Sequence, residues 1–281
     1  MSGSTVSSTV EAVAIGNFDG MHRGHQALFS RLGGDGGIVV IEHFRATLTP
    51  GIYRADFTRY PLFFYDFEKI RDLAAEDFVA KLRADFPKLR NIVVGEDFAF
   101  GAGRSADTKD LRRLFGEEVT VVPEVTLEGE PVHSRFIRDL IRRCEIPRAN
   151  AMLGHPYTVW GDVIAGQGIG KASLVPTINL DTGRFLLPGA GVYRSETCVD
   201  GVWFPSVTFV GHRHTADGNF AVESHVIGED LHGRRIQEAG IRWYAKLRDN
   251  RKFESFEALK RQIVKDIEMA QVDERETRDG L

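Results

Sequence analysis

Through the first half of the chain, short apolar runs that end in turn residues alternate with segments of helical periodicity. The runs cover residues 12–15, 38–41, 62–65, 92–95 and 119–123, and the helical segments cover 24–32, 75–86 and 108–115. Nearly continuous apolar runs are the mark of strands buried on both faces, so this βα alternation predicts a parallel sheet covered by helices. Ligands in such a sheet sit beyond the carboxyl ends of the strands. Residues 134–153 predict two short helices. The pattern then changes to short β-like runs broken by Gly, Pro and Asn: "YTVWGDVIAG", "LVPTINL", "GVYRSETCVDGVWFPSVTFVG" and "FAVESHVIG". Turns every eight to twelve residues predict an antiparallel barrel. In "FESFEALKRQIVKDIEMAQ", Phe256, Leu259, Ile263 and Ile267 recur at spacings of three or four and predict a closing amphipathic helix. The charged end from Asp273 is expected to fray. The change of pattern near Gly154 divides the chain into domains of 1–153 and 154–281.

Composition narrows this picture by exclusion. With 42% apolar and 27% charged residues and a net charge of −4, the 281-residue chain carries no global basic field for nucleic acid, so any polyanion has to meet a local site. Cys144 and Cys198 stand far apart without CxxC spacing, which excludes a disulfide framework and a cysteine-rich zinc site. The start of the chain lacks a basic region followed by a long apolar core, and no run approaches the ~20 apolar residues that span a bilayer. A cytoplasmic protein that engages neither membrane nor nucleic acid is expected.

The first candidate site lies in "AVAIGNFDGMHRGHQALFSRL", where an apolar strand breaks into Gly16, Asn17, Phe18, Asp19 and Gly20 before a helix carrying His22 and His25. Glycines let the backbone come close to a bound group, and a helix start offers unpaired N–H groups to an anion. Histidines at i and i+3 share one face, where they can donate to phosphoryl oxygens and stabilise developing charge. Two other readings stand beside this one. Two imidazoles one turn apart can share a zinc ion, although no third ligand is supplied, and both rings can simply cap the helix or contact the core.

Here "IGNFDGMHRGH" resembles the "GxFDGxHxGH" element of the nucleotidylyltransferase superfamily, and specifically of bacterial bifunctional riboflavin kinase/FAD synthetases. A longer stretch, "VVGEDFAFGAGRSAD", resembles the family's "VGxDFxFGxxRxGD"; the resemblance implies a flavin-binding role for Asp97, Phe98, Phe100 and Arg104. "VHSRFIRDL" resembles "SSTxIRxxL" and implies that Ser134 and Arg138 clamp triphosphate oxygens. His133 and Arg135 stand where that element has Ser and Thr, and Arg135 offers a substitute phosphate contact. Gly16, Phe18, Asp19 and Gly20 complete the implied nucleotide site. The family's "TFxPHP" element is replaced by "IVVIEHFRATLTPGIYRADF" with a shorter connection.

In the second half, "GDVIAGQGIGKASLVPTINL" resembles the riboflavin kinase "GxVxxGxxxGxxxxxPTAN". The resemblance implies that Gly166, Gly170 and Lys171 belong to a flap over ATP and that Thr177 and Asn179 contact Mg·ATP. A Thr hydroxyl and an Asn carbonyl are hard oxygen donors suited to Mg2+. "FAVESHVIGEDLHG" resembles "xVExHLxDFxxDLYG" and implies that Glu223 orients or deprotonates the attacking hydroxyl. "TFVGHRHTADGN" replaces the family's "NxGxxPT", while "RKFESFEALKRQIVKDIEMA" resembles its C-terminal helix closely.

The implied fold is an α/β, Rossmann-like nucleotidylyltransferase domain followed by a riboflavin kinase-like β-barrel and a terminal helix. The implied function is riboflavin phosphorylation to FMN and FMN adenylylation to FAD, both with Mg-ATP, with riboflavin, FMN and ATP as small-molecule partners. The departures leave two alternatives: a chain with only the kinase half active, or a non-enzymatic flavin- or nucleotide-binding regulator. A nucleotidylyltransferase for another phosphate substrate is a third, disfavoured by the PTxN segment.

Overall fold

The structure is a computed structural model that describes residues 7–43, 47–164, 176–212, 220–229, 231 and 234–279. The chain divides into two compact units, Met1–Ser134 and Arg135–Leu281.

In the first unit, β1 (Ala12–Gly16), β2 (Gly36–Glu42), β3 (Leu62–Asp66), β4 (Asn91–Gly95) and β5 (Glu118–Val122) form a parallel sheet in the order β3-β2-β1-β4-β5. The expected α/β sheet is therefore present. Alternation along the strands sends Val13 and Ile15 into one core and Ala14 into the other. On the first face α3 (Ala75–Asp85) and α4 (Thr108–Phe115) contribute Phe78, Leu82, Leu111 and Phe115; on the second, α1 (Arg23–Phe29) contributes Leu28 and Phe29. Asp107 starts α4 with a capping box closed by Asp110, and Gly116 ends it in the left-handed conformation. A short helix α2 (Phe67–Ile70), a 3-10 turn over Gly51–Phe57 and a small hairpin of β6 (Thr126–Leu127) and β7 (Glu130–Pro131) complete the unit.

The second unit opens within α5 (Ser134–Arg142), whose first residue belongs to the first unit, and continues with α6 (Ile146–Leu153). Six strands follow: β8 (Tyr157–Ile164), β9 (Ile178–Asp181), β10 (Gly191–Val199), β11 (Val202–His212), β12 (Phe220–Val226) and β13 (Glu238–Arg248), closed as β10-β11-β12-β9-β8-β13. This is the expected barrel, but closure depends on β13, which the sequence reading leaves unassigned. Its pattern is a regular alternation of Ile241, Trp243, Ala245 and Leu247 with Arg242, Tyr244, Lys246 and Arg248. Asn150 of α6 ties the barrel's seam by donating to the Trp243 carbonyl and accepting from the Tyr157 N–H.

Inside the barrel, Ser195, Thr197, Ser206, Thr208 and Ser224 are each at most 3% exposed and bond to one another. The contacts close a cycle: Thr208 to Ser224 at 2.9 Å, Ser224 to Thr197 at 2.6 Å, Thr197 to Ser206 at 2.8 Å, Ser206 to Ser195 at 2.8 Å and Ser195 to Thr208 at 2.7 Å. Each hydroxyl can donate once and accept once around this ring, so none is left unsatisfied.

The closing helix α7 (Phe256–Asp279) continues through Asp273, where fraying was expected. Ile267 and Ala270 pack near Val192 and Val207 of the barrel. Arg248 grips Asp266 side-on, its Nε donating to Oδ1 at 2.9 Å and its Nη2 to Oδ2 at 2.7 Å, with the Asp266 side chain 2% exposed. Removing one partner of such a pair leaves a desolvated charge. Asp266→Ala is therefore expected to cost about 3 kcal/mol, measured by urea unfolding, with the loss concentrated in the barrel transition.

Candidate functional site

In the order β3-β2-β1-β4-β5, the connections leave β1 in one direction and β4 in the other, so the crevice between their carboxyl ends is the place for a ligand. Gly16 ends β1 and leads into the histidine segment; Gly95 ends β4 and leads into the Asp97–Arg104 segment. The pairing of Val13 with Ile92 and Ala14 with Val93 brings these two stretches side by side.

The loop after β1 is an unusual backbone. Phe18 and Met21 have φ of 53° and 47°, and Gly20 has φ of 87°. A left-handed conformation costs a residue with a Cβ roughly 1–2 kcal/mol, so it persists only where surroundings impose it. Here they do. Phe18 is 1% exposed, with its ring edge-on to His25 and to Phe29. The Asp19 carboxylate accepts from the N–H groups of Leu48 (2.7 Å) and Thr49 (3.2 Å), and its carbonyl accepts from the Ser134 hydroxyl at 2.7 Å.

His22 is the N-cap of α1: its Nδ1 accepts from the His25 N–H at 3.4 Å, which leaves Nε2 to bear the proton and meet Ser134 Oγ at 3.2 Å. Both ring nitrogens of His22 are thereby engaged within the protein. The His25 ring stacks on it at 3.5 Å between centroids. His25 Nδ1 is buried without a hydrogen-bond partner among the described residues, as is Asn17 Oδ1. Burial pushes the His25 imidazole well below its ordinary value of 6.5, and the neighbouring His22, Arg54 and His133 push in the same direction. The shift favours the neutral ring, which keeps one nitrogen buried without a partner among the described residues. Asn17 has no place among the residues expected from the sequence; its position between Gly16 and Phe18 was the available signal.

On the other side of the crevice, Phe98 and Phe100 stack at 5.7 Å, with Phe100 6% exposed against Phe78 and Phe98 half-buried. Asp97 is exposed, and Arg104, itself at φ of 60°, donates to the Asp97 carbonyl at 3.3 Å. Ser134 begins α5; Arg135 beside it is exposed, and Arg138 lies one turn further along. His133 contacts the Glu124 carboxylate at 2.6 Å.

In the barrel unit, Glu223 of β12 is directly opposite Asn179 of β9, so the two side chains share a face while Ser224 points into the hydroxyl ring. Thr177 is exposed just ahead of β9. His225, on the same face as Glu223, contacts the Pro176 carbonyl at 2.9 Å and so holds the Pro-Thr-Ile-Asn turn; burial lowers its pKa. Sequence reading gave His225 no role, because its partner Pro176 is far away in sequence, ahead of β9. Gly166, Gly170 and Lys171 lie outside the described residues. Among the described residues, no helix is long and apolar enough to cross a membrane.

Comparison with known proteins places both units. A family model for riboflavin kinase matches residues 153–272, and one for FAD synthetase matches residues 5–35 and 59–136. The bifunctional riboflavin kinase/FMN adenylyltransferase of Pseudomonas fluorescens is 31% identical over 285 residues, covering 91% of this chain and 90% of that protein. Its namesake from Escherichia coli (strain K12) is 30% identical, covering 90% of each. The crystal structure of a macrolide-efflux protein from Streptococcus pneumoniae superposes with a TM-score of 0.80 at 26% identity, covering 94% of both chains. On the strength of these likenesses along nearly its whole length, the chain belongs to the bifunctional riboflavin kinase/FMN adenylyltransferase family.

Proposed function

We propose that the chain carries out two consecutive steps of flavin cofactor synthesis in the cytoplasm, converting riboflavin to FMN in the barrel domain, 154–281, and FMN to FAD in the domain of 1–153. What most supports a transfer site in the first domain is the buried, unpartnered Nδ1 of His25, on the helix that follows β1.

In the barrel, the terminal ribityl hydroxyl attacks the γ-phosphorus of ATP. Its O–H bond breaks, the proton passes to Glu223, and ADP leaves. Asn179, opposite Glu223, and Thr177 orient the phosphates. Their oxygens fit Mg2+, which when bound offsets phosphate charge and aligns the γ-phosphoryl group.

In the first domain, an FMN phosphate oxygen attacks the α-phosphorus of ATP and pyrophosphate departs, so no proton has to move in the bond exchange. His25 donates to the phosphoryl oxygens and stabilises the charge that develops on them. His22 acts beside it through the Ser134 link, and Gly16, Asp19 and Gly20, with the backbone of buried Phe18, shape the cradle. Ser134, Arg135 and Arg138 hold the triphosphate. Phe98, backed by Phe100, stacks on the isoalloxazine ring, with Asp97 and Arg104 at its edge.

One observation favours a second reading. The FAD synthetase match omits residues 36–58, where the family's "TFxPHP" element would fall, and a chain active only as a kinase would stop at FMN. Incubating the protein with riboflavin, ATP and Mg2+ and separating the flavins distinguishes the two: FAD is expected, FMN alone supports the second reading, and neither product refutes both. Glu223→Gln is expected to reduce FMN formation by about 100-fold or more while leaving FAD formation from supplied FMN intact. His25→Ala is expected to do the reverse.

ATP binding to the first domain should also take up a proton. His25 is neutral in the free protein, and the triphosphate favours the imidazolium, so its pKa rises on binding. Between the free and bound values, affinity for ATP increases as pH falls. Calorimetric titration in buffers of different ionisation enthalpy is expected to show this uptake, and His25→Asn to remove it.

A further inference from the structure

We propose that Arg54, clamped by Glu42, is a positioning residue for the histidine site, its Nε–H fixing the Phe18 carbonyl and with it the left-handed turn that carries His22 and His25. The role in FAD formation rests on the function proposed above; the geometry does not.

Arg54 is 0% exposed at the end of the 3-10 turn. Its Nη1 donates to Glu42 Oε2 at 2.7 Å and to the Gly51 carbonyl at 3.2 Å, while its Nε donates to the Phe18 carbonyl at 3.3 Å. Taking a guanidinium out of water is costly unless the site supplies an opposite charge and well-placed acceptors. This one donates to the loop that leads to His22 and His25, and its backbone contact falls on a residue whose φ of 53° needs external support. Leu48 and Thr49 hold the next residue, Asp19, from the same segment.

Every one of these tethers comes from within residues 36–58, the stretch that the FAD synthetase match leaves out. In this unmatched stretch the chain folds a buried ion pair against the loop. The groups that face His25 electrostatically are His22 at the helix cap, Arg54 from the 3-10 turn and His133 ahead of α5. Burial is the main cause that holds His25 neutral, and Arg54 is one of three charged or titratable neighbours that add to it, so removing the Arg54 charge moves the titration midpoint up.

The test uses the full chain and two variants. Glu42→Met with Arg54→Met removes both charges while keeping apolar volume, an exchange that buried pairs commonly tolerate. Arg54→Lys keeps a charge near Glu42 without the Nε–H. Circular dichroism and FMN formation by the barrel report folding. In the double variant, kcat/KM for FAD formation from supplied FMN is expected to fall by about tenfold or more, and the His25 midpoint, read by NMR, to rise. In Arg54→Lys, FAD formation is expected to fall with the midpoint unchanged. If the double variant fails to fold, Arg54→Lys decides by its FAD rate. A folded double variant with an unmoved His25 midpoint, or undiminished FAD formation in either variant, overturns the proposal. If the unmodified protein forms no FAD, the functional reading fails by itself, and the midpoint, which needs no turnover, still decides the effect of Arg54 on the site.

Discussion

The parallel pairing of β1 with β4 is the constraint on which the first unit depends. Because the chain leaves these neighbouring strands in opposite directions, both of their carboxyl ends open into one crevice, and residues far apart in sequence become neighbours there. The strands themselves are featureless apolar runs, buried on both faces. Chemistry enters only where each run stops, at Gly16 and Gly95, and the backbone is released from the sheet.

Beyond Gly16 the backbone conformation is held rather than preferred. Phe18 and Met21 adopt φ values that disfavour their side chains, and the fold fastens them from several directions: the Phe18 ring in the core, Asp19 on the amides of Leu48 and Thr49, Ser134 on the Asp19 carbonyl. The result is a loop fastened on several sides, with the stacked His22 and His25 rings at its end. The barrel site is built on a different principle. There Asn179 and Glu223 sit on adjacent strands in direct register, so the sheet itself sets their separation.

Sequence legibility followed the range of the interactions involved. Buried parallel strands and the histidine loop were readable because their signals are local: uninterrupted apolar runs, glycines at turns, histidines three apart. The motif residues of the barrel could be placed by resemblance, since the pattern around Pro176–Asn179 is distinctive. Arg54 and Glu42 were not readable, because a charged residue in an irregular segment looks solvent-facing until its partner, twelve positions away, folds against it. His225 was silent for the same reason. Strand β13 is a different case: its alternation was present, but the cationic outward positions gave it the appearance of a surface segment. The helix through Asp273 could not be inferred from composition, since a run rich in charge suits either a frayed end or an exposed helix.

The ring of five hydroxyls in the barrel bears on how the kinase residues come to be where they are. Alternation of inward and outward side chains resists a slip of one residue between strands, because every apolar group would then face the wrong way. It offers no protection against a slip of two, which keeps each face intact. In this barrel, such a shift of β12 would bring Val222 or Val226 against Thr208 in place of Ser224, and break a cycle in which each member depends on both neighbours. A buried hydroxyl stripped of its partner costs about 1–3 kcal/mol, so the even-numbered misalignments are penalised as well as the odd ones. The buried hydroxyls thus act as a vernier on β10, β11 and β12, fixing the alignment of the strand that carries Glu223.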